Sequence, residues 1–84
     1  MSQVHRLKSR TFFFGLLQAG VRSFDVRLND RKFEVGDMID LHEWNAETET
    51  FTTRTAVFEI RYVEANIVDG INEGYVVLGL IPVQ

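Results

Sequence analysis

Cysteine is absent from this 84-residue chain, so disulfide staples and thiolate metal sites are excluded. Proline occurs once, at Pro82, and no Pro/Gly/Ser-rich stretch divides the chain, so residues 1–84 are expected to form a single domain. Long hydrophobic runs are also missing. The longest nearly apolar stretch, Phe12–Leu17, includes Gly15. A signal-peptide core needs about 7–15 apolar residues and a membrane span about 20. The chain is therefore expected to be soluble and cytoplasmic, without a membrane partner. Histidine is scarce: His5 and His42 stand in no H-x-x-x-H or E-x-x-H spacing, so no metal is expected. Neither Ser9 nor Ser23 lies in a G-x-S-x-G elbow, and no G-x-G-x-x-G or P-loop occurs, so no cofactor is expected either.

What is present argues for a folded chain. Hydrophobic residues make up 45% and aromatics 12%, well above a disordered profile. The formal net charge of −3 hides an asymmetry. Residues 1–32 hold seven Lys/Arg against Asp25 and Asp30, a local charge of +5, whereas residues 33–84 hold Arg54 and Arg61 against ten acids, a local charge of −8. A basic segment of this kind can mark an anionic partner.

Along the chain, Val4–Ser9 alternates weakly and reads as a first strand. Thr11 offers an N-cap hydroxyl, Phe12, Phe13, Leu16 and Leu17 follow at helical spacing, and Gly20 suits a C′ position, so a short packing helix is expected over Thr11–Ala19. Val21–Leu28 reads as a strand with Phe24, Val26 and Leu28 on one face and Ser23, Asp25 and Arg27 on the other. Asn29–Asp30 and Gly36–Asp37 read as turns. Met38–Trp44 and the run Phe51–Glu64 read as strands joined through the polar Ala46–Thr50. Asn66–Gly74 reads as a loop, and Tyr75–Val83 as a strand buried on both faces. The expected fold is mainly β with one helix (α+β), a small closed or half-closed barrel of five or six strands with the helix at an opening.

Two clusters stand out. In the first, Ser23, Asp25 and Arg27 project together, an odd composition for a solvent face, and Arg27 and Arg31 supply planar forks that suit a phosphate or a base edge. Asn29 and Asp30 follow directly, and the plainer reading is an Arg27–Asp25 ion pair followed by a turn. In the second, Arg6, Lys8 and Arg10 share one face of the first strand and His5 and Leu7 the other. Either the three cations simply solvate an edge or they form a phosphate track. Trp44 and Tyr75 are candidates for stacking on a base, beside the more ordinary role of core or rim aromatics.

The run G-V-R-S-F-D-V-R-L-N-D-R-K-F-E-V-G-D at Gly20–Asp37 resembles the signature of ASCH-type domains of the PUA-like superfamily. It resembles more closely a short family of uncharacterised bacterial and phage proteins, a domain of unknown function whose segment reads G-K-K-T-F-E-I-R-x-N-D-R-x-F-x-V-G-D. His5-Arg6-Leu7-Lys8 is similar to the H-x-L-K that precedes it, Leu41-His42-Glu43-Trp44 to the L-x-E-[WY] that follows, and Glu73-Gly74-Tyr75-Val76-Val77-Leu78 to the terminal E-G-Y-V-V-[LM]. The resemblance implies a small barrel with a helix at one opening and a cleft beside the G-x-K-[ST] strand, in modules associated with RNA binding or modification. Some wider relatives are amidohydrolases of acylated cytidine that use a lysine and a threonine of this strand and a glutamate elsewhere. By position the lysine becomes Arg22, and the threonine falls in the neighbourhood of Asp25, where Ser23 is the only hydroxyl. Arginine is a poor proton carrier because its pKa stays above about 12, so these departures weaken the enzyme and leave a binding site intact.

Three functions follow as expectations. The first is binding of RNA, or of a modified nucleotide within it, by Arg22, Ser23, Asp25, Arg27, Asn29 and Arg31, with His5 and Lys8 beside them and Trp44 or Tyr75 as a platform. The second is an amidohydrolase of an acylated cytidine-type nucleoside, with Arg22 and Ser23 in the cleft and Asp25 or Glu43 as general base. The third is a phage- or bacterium-encoded factor that binds a protein partner.

Overall fold

A computed structural model describes residues 3–65 and 74–83. Its elements run in the order β1 (Val4–Arg10), α1 (Thr11–Gln18), β2 (Phe24–Leu28), β3 (Met38–Asn45), β4 (Thr50–Ala65) and β5 (Tyr75–Pro82). The expected elements are all found to within a few residues. Most of the expected Asn66–Gly74 loop lies outside the described residues.

The five strands form one curled sheet, a half-barrel in the order β1-β3-β4-β5-β2. β1 pairs with β3 in parallel, and the remaining neighbours are antiparallel. The concave face carries the core: Leu7, Ile39, Leu41, Phe58, Ile60, Val76, Leu78 and Leu80 come from the strands. Phe14 and Leu17 of α1 close one open end over them, and Phe33 packs in from the loop after β2. Burying each such side chain contributes roughly 1.5–3 kcal/mol.

α1 follows β1 without a loop. Arg10, still paired in register with Trp44, stands at the N-cap position and gives no side-chain cap. The expected cap, Thr11, is instead the first helical residue, because pairing carries β1 one residue further, and its Oγ1 donates to the Trp44 carbonyl at 3.4 Å. Of the expected packing residues, Phe12 and Phe13 are exposed, Leu16 is half-buried and Leu17 is buried, and Phe14, outside that set, is the helix's other buried side chain. The C-terminus ends as expected. Gly20 takes a φ of 77°, the Gly20 amide donates to the Leu17 carbonyl and the Val21 amide to the Leu16 carbonyl, which together form a Schellman motif. The Arg22 amide also donates to Leu16. Val21–Ser23 therefore finish the helix rather than start a strand, and β2 begins at Phe24.

β2 keeps the two expected faces, and its pairing with β5 decides which one turns inward. Asp25 and Arg27 lie in register with buried Leu78 and Val76 and point to the concave side, whereas Phe24, Val26 and Leu28 are exposed on the convex side. β5 is likewise buried on one face only: Val76, Leu78 and Leu80 are covered, while Tyr75 and Ile81 are exposed. A half-barrel has a single interior, and among the described residues no second layer covers its outer wall.

No helix among the described residues is long and apolar enough to cross a membrane.

Candidate functional site

The sheet is open between its two edge strands, β1 and β2, and the site is this seam. Its upper part is a cleft of about 400 Å³ lined by Lys8, Ser9, Arg10, Phe13, Arg22, Asp25, Val26 and Arg27. Such a volume falls within the roughly 300–1,000 Å³ of small-ligand pockets. A smaller hollow further along is lined by Leu7, Lys8, Arg27, Leu28, Asp30, Arg31 and Phe33. Side chains keep the two strand edges from pairing. Asp25 Oδ1 accepts the Val26 amide at 2.9 Å, and Arg31 Nη1 reaches across to the Arg6 carbonyl of β1 at 3.2 Å. Backbone groups that would otherwise recruit a neighbouring strand are thereby occupied.

Asp25 is the electrostatic centre. Its Oδ2 accepts from Arg27 Nε at 2.8 Å, and Arg22 Nη2 lies 3.9 Å from its Oδ1. One carboxylate between two guanidiniums leaves the group net positive. Arg22 is held by the Schellman turn on one side and by rings on the other, its guanidinium lying 4.8 Å from the Phe13 centroid and 4.5 Å from that of Phe24. Stacking of this kind fixes a guanidinium without consuming its donors. Arg22 Nε is buried and has no hydrogen-bond partner, and a buried donor without an acceptor costs about 1–3 kcal/mol.

The expected site residues separate into groups. Lys8, Arg22, Asp25, Arg27 and Arg31 are brought to the seam. His5 is not at the surface: its Nε2 lies 2.8 Å from Asp37 Oδ2 in the interior, and its ring packs edge-on against Phe33 at 4.7 Å. Asp37, expected only as a turn residue, is buried and accepts the Gln3 and Glu34 amides as well. Burial alone would raise its carboxyl pKa, but the hydrogen bond from His5, those from the two amides and attraction to His5 outweigh it, holding the pKa below the usual carboxylate range.

Asn29 is spent locally, its Oδ1 accepting the Phe33 amide at 3.2 Å. Ser23 is exposed at the start of β2, and its carbonyl accepts the Leu80 amide. Tyr75 pairs with Leu28 on the convex face. Trp44 lies on the outer wall beneath the Lys8 ammonium, 4.5 Å from the ring centroid. Glu43 is buried in the sheet, where Thr52, Thr53 and Arg54 face it alone across a bulge in β4. Its Oε1 accepts from the Thr52 hydroxyl and lies 3.7 Å from Arg54 Nε, and Thr53 adopts a φ of 84°, a strained value for a β-branched residue.

Residues absent from the expected set are Phe13 and Phe24, the rings that hold Arg22. The sequence pattern marks Phe13 only as helix packing and Phe24 only as one face of a strand. Among the described residues no group of three or more His, Asp or Glu could hold a metal ion.

A model of the family described as a domain of unknown function, DUF3850, matches residues 4–80. An "Uncharacterized 12.9 kDa protein in GpA 3'region" of Escherichia phage P2 is 35% identical over 69 residues, covering 82% of this chain and 55% of the phage protein. The chain thus spans little more than half the length of that relative.

Proposed function

This chain belongs to the DUF3850 family, and on that footing we propose that it binds single-stranded RNA, or a modified nucleotide within it, in the seam between β1 and β2. The observation that carries the reading is the Arg22–Asp25–Arg27 group: two fixed guanidiniums share one carboxylate in the lining of an open, net-positive cleft. Guanidinium forks suit phosphate oxygens and base edges, and Asp25 can accept from an exocyclic amine. The half-barrel with a helix over one end also supports the ASCH/PUA-like relationship that we propose for the family. The hydrolase alternative draws less support, because Glu43 is engaged by Thr52 and Arg54 and does not line the cleft.

The test is fluorescence anisotropy with a labelled single-stranded RNA at two salt concentrations. The Arg22→Ala/Arg27→Ala protein is expected to lose at least about tenfold in affinity, equivalent to about 1.4 kcal/mol, and part of its salt dependence. Unchanged affinity and unchanged salt dependence would overturn the proposal.

A further inference from the structure

Resting on the cleft reading above, we infer that the outer wall of the sheet carries a second subsite, a stacking shelf for the base of a neighbouring nucleotide, built on Phe51. The ligand is then a single-stranded oligonucleotide whose chain crosses the edge of β1, not a free nucleotide.

A groove of about 570 Å³ on this wall is lined by Arg6, Leu7, Lys8, Arg31, His42 and Phe51. Phe51, the first long apolar residue of β4, is 58% exposed, so core packing does not account for it. It is nevertheless held in place. Trp44, its register partner on β3, stands at 71° to it with centroids 4.9 Å apart, and His42 stands at 83° with centroids 6.3 Å apart. A ring fixed edge-to-face on two sides and open to solvent is preorganised for stacking, which tolerates any base because every base has a π-face.

The charges around the shelf favour an anion. Asp40, beside the groove, is met by Arg6 Nε at 3.7 Å and His42 Nε2 at 3.1 Å, and Glu59, which shares this wall, lies 4.0 Å from Arg61 Nε. Lys8 makes no ion pair among the described residues and stays on this wall over Trp44. The shelf is continuous with the seam, because Lys8 and Arg31 line both the groove and the lower seam hollow. Arg31, anchored on the Arg6 carbonyl, marks the crest between them. Phe51 lies two strand spacings inward from that edge, about 10 Å. A chain with one nucleotide in the seam would pass its next phosphate by Lys8 and Arg31 and reach the ring with its next base.

The test compares uridine 5′-monophosphate with oligouridylates of two, four and eight nucleotides by competition anisotropy. It uses the unaltered protein, Phe51→Ala, Phe51→Tyr and the Arg22→Ala/Arg27→Ala protein. The unaltered protein is expected to bind the longer ligands more tightly than the mononucleotide. Phe51→Ala is expected to weaken oligonucleotide binding by about 5- to 150-fold, the usual range for one stacked base, and to leave mononucleotide binding unchanged. Phe51→Tyr keeps the ring face and is expected to restore the loss. Oligonucleotide binding no tighter than the mononucleotide's overturns the shelf, as does a Phe51→Ala protein that loses nothing or loses equally for both ligands. Mononucleotide binding that is indifferent to the double arginine change would instead overturn the cleft reading, and an unaltered protein that binds neither ligand overturns both.

Discussion

Asp25 and Asp37 are acids in one stretch of chain with opposite settings. Asp25 lies at an open edge, where its two arginines are shared with a cleft; Asp37 lies in the interior, where burial fixes its partners from β1, the residue before it and the loop before β3. The depressed pKa of Asp37 ties stability to pH in a definite direction. A group whose folded pKa lies below its unfolded value, about 3.9 for aspartate, stabilises the fold above that value and loses the contribution as pH falls through the folded pKa. Urea midpoints measured from pH 5 down to pH 2 are therefore expected to drop on the acid side of about pH 4, with a shallower drop in Asp37→Asn. Asp37→Ala leaves the His5 side chain and the Gln3 and Glu34 amides without their acceptor. It is expected to cost about 3–5 kcal/mol in the same measurement at neutral pH, as breaking a buried pair does.

At the scale of elements, the helix end and the edge strand set the site. The Schellman turn at Gly20 ends α1 and delivers Arg22 between Phe13 and Phe24. Gly20→Ala must hold a side chain at a φ of 77°, which costs roughly 1–2 kcal/mol. Calorimetry is expected to show a lower Tm, and anisotropy a weaker grip on RNA, because the turn and Arg22 are one unit. β2 is an edge strand whose outward residues, Phe24, Val26 and Leu28, are apolar and exposed, the arrangement that invites association. Val26→Lys is expected to change stability by no more than about 0.5 kcal/mol and to reduce self-association in sedimentation at high concentration.

For the whole molecule, the divided charge acquires a location. Of the seven cations in residues 1–32, Lys8, Arg10, Arg22, Arg27 and Arg31 border the seam, with Asp25 and Asp30 as its acids. A net acidic protein can still present a cationic cleft, because the field near a cleft follows its own lining. If three or four of these cations meet phosphates, log K is expected to fall against log salt with a slope of roughly −2 to −3, as for single strands. A titration between 50 and 300 mM salt measures it, and a slope near zero would rule out phosphate contact.

Local chemistry alone was enough for the strands, the helix and the Gly20 cap, because alternation, helical spacing and a left-handed glycine are read within a few residues. It was also enough to single out Asp25, Arg27, Arg31 and Lys8 as residues of interest, to which the family resemblance added Arg22. The depth of each was decided elsewhere. Which face of β2 turns inward depends on β5, whose Val76 and Leu78 face the core opposite Arg27 and Asp25, and no pattern inside Phe24–Leu28 encodes that partner. His5 left the expected site because Asp37, 32 positions later, needs it in the interior. The pairing of Phe51 with Trp44 depends on the β3–β4 register and its bulge. Propensity is a property of neighbours in the chain, whereas burial and charge pairing are properties of neighbours in space, and an open half-barrel brings together strands that the chain keeps far apart.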